Sequence, residues 1–145
     1  MTPVTAALEV VENAVLAALG ALVPTGAAFW DAEATSLYSR LALPPPTPTA
    51  LACAWIAQHQ DNGGQRDPRV NSHGWRGLVV VRCLSRTQAT ARAGLQSAVP
   101  VMAALAPPTG YTLNATWDRP IAIPKSENIY TAAGQWIVTI RTRPL

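Results

Sequence analysis

Two apolar segments with a period of two limit the folds that are open to this chain. The first, ALACAWIAQ, begins at Ala50, and the second, GLVVVRCLS, begins at Gly77. Successive side chains of a strand point to opposite faces of a sheet, so this alternation predicts two β-strands. The second segment is apolar on both faces, which is typical of a central strand. Because a polar stretch with turn-forming residues joins the two segments, we predict an antiparallel pair.

Two other segments have the period of an amphipathic helix. The first begins at Thr2-Pro3 and ends at Gly20. Its apolar side comprises Val4, Leu8, Val11, Val15 and Leu19. The second follows Ser85-Arg86-Thr87-Gln88, which matches a capping box. Its apolar side comprises Ala91, Leu95, Ala98, Met102 and Leu105. Pro100 lies inside this second pattern and predicts a kink or the end of the regular helix.

Two more strands are predicted in the last third of the chain. The segment YTLNATW begins at Tyr111, and DRPIAIP continues it at a sheet edge, where prolines are tolerated. The segment IYTAAGQWIVTIRT begins at Ile129 and is predicted to contain a bulge near Gly134. Residues 24–50 are predicted to be irregular, with a polyproline-like stretch from Leu43.

The element order α-β-β-α-β-β predicts an α+β fold, with two helices packed on a four-stranded antiparallel sheet. The 145 residues suit a single domain that spans 1–145. A long polar hairpin loop at about 58–77 is predicted to project from this domain. Hydrophobic residues make up 49% of the chain and charged residues only 13%, which argues against disorder and indicates that part of the surface meets a partner.

The sequence also predicts where the protein resides. No run approaches the roughly 18 to 20 apolar residues of a membrane helix. The N-terminus has no basic region and carries Glu9 and Glu12, which argues against a signal peptide. We therefore expect a protein that is made and used in a cytoplasm, with no membrane partner. Cys53 and Cys83 are then expected to be reduced core residues, and no cofactor is expected.

The charges are distributed unevenly along the chain. Residues 1–61 contain one basic and five acidic side chains, a balance of −4, whereas residues 62–145 contain ten and three, a balance of +7. Such an asymmetry permits polyanion binding, or the pairing of an acidic face of one subunit with a basic face of the next. The candidate inter-subunit charges are Glu9, Glu12, Arg82, Arg86, Arg92, Arg141 and Arg143.

The polar stretch from 58 to 77, QHQDNGGQRDPRVNSHGWRG, supports three hypotheses, of which the first is catalysis. His59, Asp61 and His73 are residue types that form metal or acid–base clusters. A loop that contains Gly63-Gly64 is a poor scaffold for the rigid ligand set that a hydrolytic metal site requires. Sequence motifs for nucleophiles and nucleotides, such as GxSxG and GxGxxG, are absent. We therefore predict that the protein is not an enzyme and has no catalytic residues.

Nucleic-acid binding is the second hypothesis for this stretch. Six arginines between Arg66 and Arg92, with Trp75 among them, suit phosphate contacts and base stacking. Asp61 and Asp67 interrupt the cluster, and no recognition-helix, RNP or KH signature is visible. The third hypothesis is a polar loop for assembly, in which arginines pair with carboxylates across a subunit boundary. The candidate residues of this interface or lumen loop are Arg66, Asp67, Arg69, His73, Trp75 and Arg76.

Six segments in a fixed order carry a resemblance to a known family. They are the helix VTAALEVVENAVLAALGALVP, the proline-rich segment after it, the strand pair ALACAWIAQ and GLVVVRCLS, the capped helix SRTQATARAGLQSAVPVMAAL, and the closing strand IYTAAGQWIVTIRTRPL. In this order, length and composition, the chain resembles the tail terminator (tail completion) proteins of long-tailed bacteriophages. The resemblance covers nearly all of the 145 residues.

The resemblance implies a structural virion protein of the tail or neck. It implies a homohexameric ring that caps the tail tube, ends tube polymerisation and offers a surface to the head connector, while DNA passes through its central hole. The implied partners are other copies of the chain, the tail tube protein and a head-side connector or adaptor protein, in the host cytoplasm during assembly and then in the virion. The alternatives are another neck protein, such as a head-completion protein or connector adaptor, and a small metal-dependent enzyme that uses His59, Asp61 and His73.

Overall fold

The structure is a computed structural model, and it describes residues 3–23, 27–32, 37, 50–60, 74–123 and 129–142. Within these ranges the chain forms seven elements. In chain order they are α1 (Pro3–Gly20), β1 (Ala28–Trp30), β2 (Ala50–Gln60), β3 (Gly74–Ser85), α2 (Gln88–Ala103), β4 (Tyr111–Ile121) and β5 (Tyr130–Thr142).

The strands form one mixed sheet in the order β1-β2-β3-β5-β4. The strand β1 is parallel to β2, and the other neighbours are antiparallel. The predicted α+β class is confirmed, but the predicted four-stranded antiparallel sheet is wrong, because the sheet has a fifth, parallel strand. Backbone bonds hold this strand in place: Asp31 N donates to the Ala54 carbonyl at 2.8 Å, and Ala52 N donates to the Ala27 carbonyl at 2.9 Å. Three residues are too few to show a period, so the sequence pattern did not reveal them.

The predicted hairpin is present, and both of its strands are longer than predicted. The pairing of β2 with β3 runs from Ala50 opposite Ser85 to Gln60 opposite Arg76, with an irregularity between Ile56 and Gln58. The ends of the polar stretch 58–77 therefore belong to strands. Residues 61–73 lie outside the described part of the chain.

Both predicted helices are present, with one correction at a cap. The helix α1 has the predicted bounds, and α2 begins after Thr87, whose hydroxyl accepts from the Thr90 N–H at 3.3 Å. The predicted capping residue, Ser85, instead accepts from the Thr87 N–H at 3.3 Å in the turn before the helix. The helix also continues past Pro100 to Ala103. A proline removes one N–H donor, and the carbonyl that loses it, four residues earlier, belongs to an exposed residue that water can reach.

Both described helices pack against the same face of the sheet, which we call the helix-covered face. The fully buried residues of α1 on this face are Val11, Val15 and Leu19. The residues of α2 are Ala98 and Met102. The strands contribute Ala54, Val79, Val81, Trp136, Val138 and Ile140. These side chains form the larger of two apolar clusters, and the predicted apolar sides of both helices supply it.

The irregularity predicted in β5 lies in the neighbouring strand. Pairing of β5 with β3 is continuous through Gly134, whereas β4 shifts register between Trp117 and Arg119. The Trp117 ring stands edge-on to the Trp136 ring, with 5.0 Å between centroids, and lies over Gly134. A Cβ atom at position 134 would overlap the Trp117 ring. Glycine is therefore needed here for a close approach, and not for a bulge.

Candidate assembly surface

The sheet has a second face, against which neither of the two described helices packs. We call it the arginine face. Strand alternation and register assign to it Trp55, Gln58, Arg76, Leu78, Val80, Arg82, Arg119, Gln135, Ile137, Thr139 and Arg141. The central strands β3 and β5 thus contribute to both faces, with alternate residues on each.

One end of the arginine face is covered by a second apolar cluster. Leu51, Cys53 and Leu84 of the sheet pack there with Ala27, Leu37 and Ile129. Away from this cluster, Leu78 and Ile137 stay half-buried, and neither belongs to an apolar cluster of the described residues. This part of the face combines half-buried apolar side chains with arginines.

All four arginines of the described strands lie on this face. They are Arg76, Arg82, Arg119 and Arg141. The same strands contain one carboxylate, Asp118, which accepts from Gln135 Nε2 at 2.7 Å and from Arg119 Nε at 3.1 Å. The described strands therefore carry four cationic side chains and one carboxylate. That carboxylate already accepts hydrogen bonds from two neighbours on the arginine face.

Two of these arginines have buried donors with no acceptor. Within the described residues, the Nε atoms of Arg76 and Arg82 are buried and make no hydrogen bond. The Arg82 guanidinium lies over the Trp55 ring, 4.9 Å from its centroid, which is a cation–π contact. Buried donors in folded proteins are nearly always paired. The two Nε–H groups are therefore exceptions to this rule within the described residues.

The opposite side of the molecule carries carboxylates. Because α1 packs on the helix-covered face through Val11, Val15 and Leu19, its outward side lies away from the sheet. Glu9 is exposed on that side, and Glu12 and Leu16 are half-buried beside it. We call these three residues the acidic ridge. The acidic ridge and the arginine face are thus separated by the thickness of the domain.

The structure separates the predicted candidate residues into groups. Arg66, Asp67, Arg69 and His73 of the predicted loop lie outside the described residues, as do Asp61 and Arg143. Trp75 and Arg76 belong to β3 and not to a loop. Trp75 is only 3% exposed and lies in the core of the helix-covered face, because β3 begins at Gly74 and alternation turns Trp75 inward. Arg76, one position later, lies on the arginine face.

The predicted inter-subunit charges are also divided. Arg82 and Arg141 share the arginine face with Arg76, whereas Arg86 and Arg92 are exposed at the start of α2. Arg92 lines a groove of about 510 Å³ between α2 and the ends of β4 and β5. The other residues of this groove include Gln88, Leu95, Pro120, Ile121 and Tyr130. Its described lining contains no carboxylate, histidine or cysteine.

The cysteines lie on opposite faces of the sheet. Cys83 is in the core of the helix-covered face, and Cys53 is in the second cluster. Both are free thiols. Burial raises the pKa of the Cys83 thiol to about 11 and also raises the pKa of Cys53. Over the residues that the structure describes, no group of three or more His, Cys, Asp or Glu side chains is arranged to hold a metal ion. His59 is in β2, opposite Gly77.

Neither described helix combines the length and the apolar character needed to cross a membrane. No protein-family model and no curated protein matches the chain.

Chains of solved structures do match, and there are 21 of them. One comes from a structure described as the virion of a native gene transfer agent particle; it is 18% identical, covers 95% of this chain and 96% of that chain, and superposes with a TM-score of 0.52. A second is 13% identical over 95% of this chain and 92% of its own, with a TM-score of 0.43. The α+β architecture described above is thus similar, over nearly its whole length, to that of a chain in a virion particle.

Proposed function

We propose that this protein is a structural subunit of a phage-like virion. The observation that carries this proposal is the fold likeness to a chain of a gene transfer agent virion, which spans 95% of this chain and 96% of that chain. A likeness over the full length of both chains concerns the whole domain and not one common motif. The unpaired donors of the arginine face add support, because a virion subunit is covered by neighbours on several sides.

Within that class, we propose that copies of the chain form a homohexameric ring that caps the tail tube. The ring ends tube polymerisation and joins the tail to the head connector, and DNA passes through its hole. Its partners are the tail tube protein and a head-side connector or adaptor protein. The resemblance of the sequence to tail terminator proteins supports this finer role, together with the basic and acidic surfaces on opposite sides of the domain. The protein acts in the virion, after assembly in the host cytoplasm.

The test is the mass and shape of the purified protein, alone and with tail tubes. Light scattering gives the mass, and negative-stain images give the shape. We expect a hollow ring of six copies, or a monomer that becomes such a ring at tube ends. Tubes freshly sheared to expose new ends are the control, because a cap should bind them and stop their growth. A compact monomer that ignores both kinds of tube end would refute the cap.

The same fold likeness supports a second candidate, a head-completion protein or connector adaptor, because the similar chain belongs to the structure of a whole virion and not of an isolated tail. Such a protein also forms a ring, but the ring binds the portal side. Binding of labelled rings to isolated tails and to isolated heads separates the two candidates. Tails alone are expected to bind if the protein is the tail cap, and heads alone if it is a head-completion protein.

A further inference from the structure

We propose that the acidic ridge of one copy docks on the arginine face of the next copy. In this contact the carboxylates of Glu9 and Glu12 pair with the guanidinium groups of Arg76 and Arg141. The Leu16 side chain packs against Leu78 and Ile137. The inference names the partner surface within the proposed ring, and it rests on the proposed function only in requiring that copies associate.

In the described part of the chain, the Arg76 guanidinium has a hydrogen-bond donor without an acceptor. Its Nε atom is buried and has no acceptor among the described residues, and no resolved carboxylate lies on β3 or β5. Arginine differs from lysine in presenting a planar set of donors that a carboxylate can accept in pairs. A carboxylate from another copy would therefore complete a site that the single chain leaves open.

The spacing of the arginines on the sheet matches the spacing of the glutamates on α1. Arg76 is opposite Thr139 and Arg141 is opposite Gly74, so the two arginines are diagonal neighbours on one face. Diagonal neighbours on a sheet are about 7–8 Å apart. Glu9 and Glu12 are three residues apart on α1, which places their Cβ atoms about 5–6 Å apart. Long side chains bridge the difference, so one helix can present two carboxylates to two guanidinium groups at once.

Apolar side chains lie beside the charged ones on both the acidic ridge and the arginine face. Leu16 follows Glu12 by four residues, about 6 Å along the helix axis. Leu78 follows Arg76 by two residues, about 7 Å along the strand, and Ile137 is its partner on β5. All three apolar side chains are half-buried in the single chain. An ion pair beside an apolar contact is the usual composition of a specific interface.

The places of the acidic ridge and the arginine face on the domain favour a contact between copies. The two surfaces lie on opposite sides of the domain, so they cannot pair within one copy. A contact between two different surfaces repeats from copy to copy, and it closes into a ring when the rotation between copies permits. The proposed pairing therefore produces the kind of assembly that a tube cap requires.

A carboxylate fits this face better than a nucleic-acid phosphate. Phosphates would meet the exposed guanidinium groups of Arg119 and Arg141 from outside. They would leave Leu78 and Ile137 half-exposed and would bring no apolar surface to them. A protein partner provides both the acceptors and the apolar cover.

The test is a charge exchange in trans. Glu12→Arg places two arginines against each other in the contact, and Arg76→Glu places two carboxylates there. Each variant alone is expected to need at least about tenfold more protein for half-assembly, measured by sedimentation velocity, because like charges are juxtaposed. Mixed one to one, the variants should assemble again, since every contact in an alternating ring of six copies then joins opposite charges.

Three controls accompany this exchange. Gln96→Glu adds a negative charge on the exposed side of α2 and should leave assembly unchanged. Glu9→Arg with Arg141→Glu repeats the exchange at an exposed arginine, so that a folding defect of Arg76→Glu cannot mask the result. Circular dichroism melting of each variant confirms that it is folded before it is mixed.

The outcomes separate this inference from the proposed function. Rings from the wild type and from both single variants would overturn the inference and leave the ring proposal intact. Single variants that fail and are not rescued on mixing, in both exchanges, would also overturn it. Normal assembly with loss of binding to a short DNA duplex would assign the face to nucleic acid instead. A wild type that never associates, with or without tubes, would refute both proposals.

Discussion

The two faces of the sheet differ although the same strands build them. On β5, Trp136, Val138 and Ile140 are at most 1% exposed and lie under the helices. The alternating residues Ile137 and Thr139 are half-buried on the arginine face. The first set meets its partners within the chain, whereas the second set lies among arginines with unmet donors. If the proposed contact is correct, folding depends on one face and association on the other, and substitutions at neighbouring positions of one strand can separate the two.

The largest contrast is expected between two adjacent substitutions, Val138→Asp and Ile137→Asp. Val138 is fully buried, so an aspartate there leaves an unpaired charge in the core and should lower the free energy of unfolding by about 3–5 kcal/mol. Ile137 is half-buried on the other face, where the loss should be about 1 kcal/mol. Urea unfolding monitored by tryptophan fluorescence measures both.

Ring assembly, unlike folding, should be sensitive to the substitution on the arginine face. Ile137→Asp is expected to remain folded and to fail to form rings, because it puts a charge in the proposed contact. Ile137→Val is the control that keeps the contact apolar, and it should assemble. If Ile137→Asp lowered the free energy of unfolding as much as Val138→Asp, the arginine face would be as important for folding as the helix-covered face.

A smaller effect is expected from the thiol on the helix-covered face. Burial raises the pKa of Cys83 from 9.0 to about 11, so the folded state keeps the neutral thiol to higher pH than the unfolded state does. The full contribution of this thiol to stability is therefore present below pH 9 and is lost as the pH rises from 9 to 11. Two pH units correspond to about 3 kcal/mol. Unfolding free energies of the wild type and Cys83→Ala, compared between pH 8 and 11, isolate this loss.

The matched control for this measurement is Cys53→Ala, which removes the thiol on the opposite side of the sheet. It should leave the loss that is due to Cys83 in place. Parallel stability curves for the wild type and Cys83→Ala over this pH range would show that the Cys83 thiol is not as buried as the structure indicates.

A third effect on stability concerns the contact between Gly134 and Trp117. A Cβ atom at position 134 would overlap the Trp117 ring, so Gly134→Ala should cost about 1–3 kcal/mol of stability. Trp117 is 40% exposed, and part of this cost can be relieved if its ring swings outward. A double-mutant cycle with Trp117→Ala measures the coupling: once the ring is absent, Gly134→Ala should cost clearly less, because only the Trp136 ring then lies close to the added Cβ atom, at 3.2 Å. Additive costs would mean that the two residues do not meet.

Long patterned segments were predictable from the sequence. Thr2-Pro3 and Gly20 predicted the bounds of α1. The spacing of apolar residues predicted the apolar sides of both helices, since a stripe of three to five turns is a strong signal. The alternation in ALACAWIAQ and GLVVVRCLS gave the antiparallel hairpin. The edge position of β4 followed from its proline, which lacks a donor for a central ladder.

Short or non-local features were not predictable in this way. The strand β1 has three residues, and its place beside β2 depends on backbone groups that every residue type carries. The true cap, Thr87, and the predicted cap, Ser85, are both good capping residues, and local chemistry does not choose between them. The role of Gly134 depends on a ring from another strand, which no local pattern reports.

The candidate surface was only partly visible in the sequence. Unequal charge between the two parts of the chain predicted an acidic and a basic surface. The even spacing of Arg76 and Arg82 would have indicated a shared face, had β3 been predicted to begin at Gly74. The loop prediction instead grouped Arg76 with Trp75, although alternation places their side chains on opposite faces.

The positions of the helices and of the longer strands could therefore be predicted from the sequence, because helix and strand periods are properties of neighbouring residues. The class of the fold and the presence of charged surfaces followed from those periods and from composition. Which residues share a face, which strand lies at the edge beside β2, and which side chains remain without partners depended on the tertiary structure. The physical reason is that register, close approach and burial are set by contacts between residues far apart in the chain, such as Gly134 with Trp117 and Arg76 beside Arg141.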